Sequence, residues 1–257
     1  MKIKITKNSK SFYVNPCGPK RSLFRFLRAI LDRDNFWKGV KNNTWEVETF
    51  RIFDFFLNQR CSFIDMGAWI GPTVLYGIQL ASHCYAVEPD PVAFSILKEN
   101  VHLNPELKNR ITLCNIAISD SNGKVTLAAS EGLGKSDSSM YKSYSSGYPV
   151  EVDCLSFPAF CQRYNVTGVN FVNIDTEGAE IVILPSMVNF IKDYKPTVYL
   201  SLHPQLFPDQ ERNIIEIIEV MELFTRIYDN KLNRLSLSYI EATLASRKGM
   251  EVVLSFQ

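Results

Sequence analysis

The sequence predicts an α/β protein, built on a mostly parallel sheet with helices on both faces. Two observations predict it. From residue 45 onward, short apolar runs of strand length alternate with stretches whose apolar residues recur at helical spacing. Within that alternation, FIDMGAWIG (Phe63 to Gly71) and HCYAVEPD read in order as a buried strand, a glycine turn, a helix start and a second strand ending in an acid. A nucleotide-type ligand needs that order.

The elements follow in sequence. Residues 1–20 read as irregular, with Pro16, Gly18 and Pro19. Residues 22–31 place Leu23, Leu27, Ile30 and Leu31 on one helical face, and 45–58 repeat the pattern with Val47, Phe50, Phe53 and Leu57. Strands are expected at 61–65, 83–88, 110–117 and 123–128, with helices at 72–81 and 91–102. Residues 130–149 are rich in Ser, Gly and Tyr without a period, long for a plain loop and therefore functional or mobile. A strand at 150–152, a helix near 155–164 and the strand VNFVNID (169–175) come next. A helix starts at Gly178, and Pro185 ends or bends it. The strand TVYLSL (197–202), a helix over 210–223 and an antiparallel pair near 225–229 and 250–256 complete the chain. At 257 residues this is one large domain, here 48–257, with an N-terminal helical appendage over 1–47 placed as a substrate cap.

The first turn carries the chemistry. Asp65 closes an apolar strand. Gly67 and Gly71 omit side chains where the chain turns tightly and a ligand approaches the backbone. Pro72 suits a first helical turn. Glu88 follows Gly67 by about 20 residues, the spacing of a carboxylate that accepts ribose hydroxyls. The pattern is D-x-G-x-x-x-G, however, not the G-x-G-x-x-G of a pyrophosphate site, and Ala68 and Trp69 crowd the turn. A bulky indole there suits a ligand without phosphates, such as S-adenosylmethionine, better than a dinucleotide.

Right-handed crossovers bring the strand ends to one edge, where ligands of such sheets bind. Asp65, Glu88, Asn115, Asp175 and His203 all stand at or just after strand ends. Asp175-Thr176-Glu177-Gly178-Ala179-Glu180 places three carboxylates around a glycine. Asp175 ends an apolar strand, where a carboxylate must find partners or stay neutral. Glu177 and Glu180 also read as favourable first-turn charges, Glu180 above all.

Composition narrows the function. A net charge of +1 argues against a broad nucleic-acid surface, and no segment is apolar enough to span a membrane. Six scattered cysteines without a C-x-x-C pair, and three scattered histidines, argue for buried reduced thiols in a cytoplasmic setting and against a zinc site. The carboxylates show no clear ligand spacing, so no residue is assigned to a metal.

FIDMGAWIG, AVEPDP, NIAISDSNG, GKSDSSM, NIDTEGAE and LSLHP stand in the order and spacing of the FkbM-type S-adenosylmethionine-dependent methyltransferases, which the chain resembles over residues 48–204. That resemblance implies a Rossmann-like, seven-stranded methyltransferase sheet. It implies transfer of a methyl group from S-adenosyl-L-methionine, typically to a hydroxyl oxygen of a sugar or other small molecule. Asp65, Gly67 and Gly71 match positions lining the methionine part, and Glu88 matches the ribose acid. Asp90, Asn115, Ile116 and Ala117 match the adenine surroundings. Ser138 and Ser139 match a serine pair near the cofactor. Asp175, Glu177 and Gly178 match the strand-end signature facing the methyl group. Two departures stand out: Trp69 where many members have asparagine (GANIG), and Ser201 where many have glutamate (LELHP).

For this reaction the protein must align the acceptor and remove its proton. A hydroxyl needs a base or a metal, and Asp175, Glu177 and His203 are the candidate catalytic groups. Two rival readings are an NAD-dependent oxidoreductase, which lacks its glycine pattern here, and a non-catalytic scaffold on the same fold. The expected partner is a small-molecule or carbohydrate acceptor, its pocket shaped by the first 60 residues and the 130–149 loop with their aromatics.

Overall fold

The structure, a computed structural model, describes residues 2–16, 35–129, 132–141 and 149–256. The helix expected over 22–31 and much of the 130–149 loop lie outside the described residues.

The chain opens with a hairpin of β1 (Ile3–Lys7) and β2 (Lys10–Val14), paired antiparallel. Residues 35–41 are helical. Helix α1 (Val47–Phe56) leads to β3 (Ser62–Met66), α2 (Pro72–Gly77), β4 (His83–Val87), α3 (Pro91–His102), the short α4 (Pro105–Lys108) and β5 (Ile111–Cys114). Strands β6 (Ala117–Ser119), β7 (Gly123–Leu127) and β8 (Val150–Ser156) form a separate small sheet in the order β6-β8-β7. Then come α5 (Phe157–Arg163), β9 (Val169–Ile174), α6 (Glu180–Ser186), α7 (Val188–Tyr194), β10 (Thr197–Leu202), α8 (Gln210–Met221), β11 (Arg226–Asp229), α9 (Leu237–Ala245) and β12 (Met250–Ser255).

The main sheet has seven strands in the order β11-β12-β10-β9-β3-β4-β5. Strands β10, β9, β3, β4 and β5 run parallel, while β12 pairs antiparallel with both β10 and β11. Successive residues of a strand face opposite sides, and both faces are apolar here. Phe63, Phe171 and Tyr199 bury against α1, α2 and α3, whereas Ile64, Val172 and Leu200 bury against α6 and α8. Each such side chain, fully buried, contributes about 1.5–3 kcal/mol.

The expected elements lie close to these bounds, with four differences. The first residues form a hairpin rather than irregular chain. Its Phe12 and Val14, with Trp37 and Val40, share one hydrophobic cluster with Phe50 and Phe53, so the segment expected as an appendage contributes to the main core. The single strand expected over 110–117 is two strands in two sheets. Asn115 sits at the break, its Nδ2 donating to the carbonyls of Glu88 (2.8 Å) and Pro89 (3.2 Å). The strand expected to stop at 152 runs on to Ser156. Finally, α4, α7, α9 and the helical residues 35–41 had no counterpart among the expected elements.

From β3 the chain proceeds outward one way to β4 and β5. From β9 it proceeds the other way to β10. The crevice at the carboxyl ends of β3 and β9 is therefore the switch point of the sheet.

Candidate functional site

A cavity of about 670 Å³ opens at that crevice. Its near wall is the turn after β3. The N–H groups of Gly67 and Ala68 both donate to the carbonyl of Val87 at 3.0 Å, closing the chain over the end of β4. Gly67 has φ +88°, and a Cβ there would lie 1.8 Å from the carbonyl oxygen of Asp175. Only glycine permits that approach. Trp69 is also left-handed, φ 45°. Its indole Nε1 donates to the carbonyl of Gly134 at 3.1 Å, and its ring meets Phe36 edge-on with centroids 4.6 Å apart.

Glu88 lines the cavity beside this turn. Oε2 accepts from Trp69 N–H and Oε1 from Asp90 N–H, each at 2.7 Å. An ionised carboxylate has about four acceptor positions, so in that form each oxygen keeps one for a ligand. Burial pushes the Glu88 carboxyl up to about 8, the two backbone donors opposing and the Asp90 charge assisting. Ile116, Ala117 and Ser138 also line the cavity.

Other residues singled out from the sequence stand behind this wall. Asp65 is fully buried, with Oδ1 accepting from Asn173 Nδ2 at 2.8 Å. Burial pushes its carboxyl up, hydrogen bonds from Thr73 and Asn173 opposing. Gly71 is the N-terminal cap of α2. Asp90 is 0% exposed and fully engaged. Oδ1 caps α3 through Val92 N–H (2.7 Å) and Ala93 N–H (3.2 Å), and Oδ2 accepts from Gly134 N–H (2.7 Å) and Ser138 Oγ (2.9 Å). Asp90 thus ties the 132–141 segment to the helix. Ser139 is buried, its Oγ donating to the carbonyl of Glu177. Asn115 is exposed at the β5–β6 break. None of these five residues is on the cavity lining.

The far wall joins Asp175, Glu177 and His203, which all line the cavity. His203 Nε2 lies 3.6 Å from Asp175 Oδ1 and 4.0 Å from Glu177 Oε1. On its other side Nδ1 lies 2.5 Å from Glu180 Oε1. Glu180, read from the sequence chiefly as a first-turn helix charge, is instead 0% exposed and bound to the imidazole. Burial opposes charge on His203. The Glu180 hydrogen bond and the charges of Glu180, Asp175 and Glu177 outweigh it and hold the imidazole up at about 9. Asp175 faces the cavity but is otherwise enclosed by protein. That enclosure, with the charges of Glu180 and Glu177, pushes its carboxyl up to about 7 against the pull of His203.

Beyond them lies a set of lining residues that sequence reasoning missed: Glu46, Thr49, Tyr199, Asn230 and Glu251. Glu251 accepts from Tyr199 OH and from Asn230 Nδ2, both at 2.7 Å. Tyr199 OH also lies 3.2 Å from Thr49 Oγ1. Glu46 is pushed up to about 8, first by burial and then by the charges of Asp175 and Glu251.

Residues 65–230 match the Methyltransferase FkbM domain. The chain belongs to the FkbM methyltransferase family. Among solved structures, the FkbM methyltransferase from Methylobacillus flagellatus KT is similar at 12% identity, with a TM-score of 0.49 over 91% of this chain. The match covers 55% of that protein, so this chain spans about half its length. M. jannaschii TYW2 in complex with AdoMet is similar at 14% identity, with a TM-score of 0.46, over 98% of this chain and 83% of that one. Precorrin-6y C5,15-methyltransferase from Geobacter metallireducens GS-15 is similar at 9% identity, with a TM-score of 0.43, over 84% and 89%. No curated protein matches.

The residues present fit S-adenosyl-L-methionine as the cofactor of an FkbM methyltransferase. The side-chain-free turn at Gly67, the free acceptor positions of Glu88 and the apolar Ile116 and Ala117 suit a ligand with ribose hydroxyls and no phosphates. The departure at Ser201 also has a structural context. Ser201 stands directly opposite Glu251 in the β10–β12 register, and both line the cavity. A carboxylate thus reaches this wall from the neighbouring strand. Among the described residues no group of His, Cys, Asp and Glu is arranged to hold a metal ion, and no helix is long and apolar enough to cross a membrane.

Proposed function

We propose that this FkbM protein methylates a hydroxyl oxygen of a small molecule or sugar, with Asp175 accepting the hydroxyl proton. The observation that carries this reading is Asp175 itself, a carboxylate on the cavity wall held near 7 beside an imidazole. A base titrating near the working pH is both available and able to take a proton. His203, held at about 9, already carries its proton at neutral pH and so serves as the charge that faces Asp175. Glu177 adds a second carboxylate at the same wall.

When bound, the cofactor supplies a methyl group already activated on a sulfonium and leaves as a thioether. Gly67 would admit it to the turn, Glu88 would accept its ribose hydroxyls, and Ile116, Ala117 and Ser138 would enclose its adenine. The acceptor proton comes to rest on Asp175 and passes to water. Glu46, Thr49, Asn230 and Glu251 face the remaining volume with carboxylates, a hydroxyl and an amide, beside the Trp45 and Phe36 rings. Acceptor groups next to aromatic faces suit a polyhydroxylated ring, whose hydroxyls donate and whose apolar face packs on an indole. Buried thiols at Cys61, Cys84, Cys114 and Cys154, all free, support a reducing cytoplasmic setting.

Calorimetric titration with S-adenosylmethionine and with its demethylated product tests the cofactor half. Transfer of labelled methyl to a panel of sugars and phenols, with product analysis for the ether linkage, tests the acceptor half. Methyl appearing on nitrogen or carbon, but never on oxygen, would refute the hydroxyl reading.

A further inference from the structure

We propose that Glu180 is a positioning residue for the transfer step: it holds His203 through Nδ1, so that Nε2–H is turned toward Asp175 and the imidazole stands as a fixed positive charge beside the base. The inference rests on the functional reading above and assigns a task to a residue that faces no substrate.

Glu180 is fully buried in the first turn of α6, and it does not line the cavity. A buried carboxylate is costly unless it is paired. Among the described residues its one ion pair is with His203, at 2.5 Å, and its other oxygen, Oε2, is buried without a hydrogen-bond partner. The charged groups facing His203 are Glu180 from α6 and Asp175 and Glu177 from the β9–α6 turn; the segment Pro204–Leu206 after it adds none. Three carboxylates surround one imidazole, and a doubly protonated ring satisfies both sides at once. Both ring nitrogens are then donors, Nδ1 to Glu180 and Nε2 toward Asp175.

The order of distances gives the direction of control. Nδ1 is bonded tightly to the buried acid, whereas Nε2 is looser, 3.6 Å from Asp175. The ring is therefore oriented from behind by Glu180. Its Nε2 edge is thereby presented to Asp175. Without the Glu180 charge, His203 loses its closest acceptor and reverts toward neutral. Asp175 then loses the charge that favours its ionised form, and its proton-accepting fraction at neutral pH falls.

The test needs no acceptor. The protein has three histidines, and long-range ¹H–¹⁵N spectra of the histidine-labelled full chain follow each ring. Wild-type His203 is expected to stay doubly protonated through neutral pH, with a midpoint near 9. In Glu180→Gln that midpoint falls by at least one pH unit while His83 keeps its own, and Glu180→Asp restores part of the shift. Calorimetry with S-adenosylmethionine is expected to give affinities within about threefold of wild type. A His203 midpoint unchanged in Glu180→Gln overturns the proposal. Should Glu180→Gln not fold, a wild-type His203 found neutral at pH 7, or a Glu180→Asp variant with no shift of its own, overturns it equally. If His203 titrates as expected but no methyl is transferred to oxygen, the pair stands and the functional reading falls, and with it the assigned task.

Discussion

The Cα of Gly67 lies so close to the backbone of Asp175 that a Cβ on it would stand 1.8 Å from the Asp175 carbonyl oxygen. The glycine turn and the proposed base are thus packed directly on each other, with Asp175 N–H also donating to Met66 O at 2.9 Å. Gly67→Ala is expected to displace both at once. A left-handed backbone costs a non-glycine residue about 1–2 kcal/mol before any clash is counted. A lowered melting temperature and at least a tenfold loss of S-adenosylmethionine affinity are expected, read by calorimetry. Unchanged affinity would contradict the placement of the turn.

Glu88→Ala removes the proposed ribose acceptor and also orphans two donors, the half-buried Trp69 N–H and the buried Asp90 N–H. Each unsatisfied buried donor costs about 1–3 kcal/mol, so the apo protein itself is expected to melt lower. Glu88→Gln keeps one acceptor oxygen and recovers part of that stability. Affinity for the cofactor falls in both variants. A loss of stability with affinity intact would make Glu88 a purely structural residue.

Stability should depend on pH in a stated direction. Glu46 and Glu88, each held at about 8, and Asp175, at about 7, are raised above their ordinary values. Protons bind these groups more tightly in the folded state, so their contribution is fully present below about 4.5 and lost as pH rises through 7 to 8. His203, raised to about 9, contributes below its ordinary 6.5 and is lost through 9. These four groups all act in one sense, and the melting temperature of the cofactor-free protein is expected to fall between pH 6 and 9. A melting temperature that rises over that interval would contradict these shifts.

Glu251→Gln should separate acceptor binding from cofactor binding. Its carboxylate is held by Tyr199 and Asn230 on the wall away from Glu88. The variant is expected to raise KM for the acceptor several-fold, with S-adenosylmethionine affinity within about twofold of wild type. Equal losses for both ligands would place Glu251 in the fold rather than in the pocket.

The parallel strands were legible because each is a short apolar run closed by a polar residue, and a parallel sheet puts all those ends at one edge. That logic reached Glu88, Asp175 and His203. It did not reach Glu251, because β12 runs antiparallel and presents its beginning, not its end, at the same edge. Glu46 precedes a helix and gave no strand-end signal. Glu180 sits where an acid ordinarily offsets a helix dipole, and only the tertiary fold brings His203 to it. The hairpin was hidden because β1 and β2 are short and carry lysines. One of these, Lys7, is buried against expectation, donating to Val40 O and Asn43 Oδ1. Asp90, legible as an acid beside Glu88, turned out to be fully engaged in capping α3 and anchoring the 132–141 segment, a use that spacing alone does not distinguish from ligand binding.

Asp175→Asn keeps the size of the side chain and removes its ability to take a proton. The methylation rate with a proven acceptor is expected to fall at least about 100-fold, the low end for a positioned acid–base group. S-adenosylmethionine affinity should change far less, because Glu88 and the Gly67 turn are untouched. In the wild type, kcat should rise with pH through about 7, as Asp175 loses its proton. His203→Gln removes the neighbouring charge but not the base. It is expected to lower kcat and to move that rise to higher pH, since Asp175 then lacks the imidazolium that favours its ionised form. A His203→Gln enzyme that loses the pH-dependent rise altogether would make His203 the base. An Asp175→Asn enzyme that transfers methyl at the wild-type rate would remove Asp175 from the mechanism.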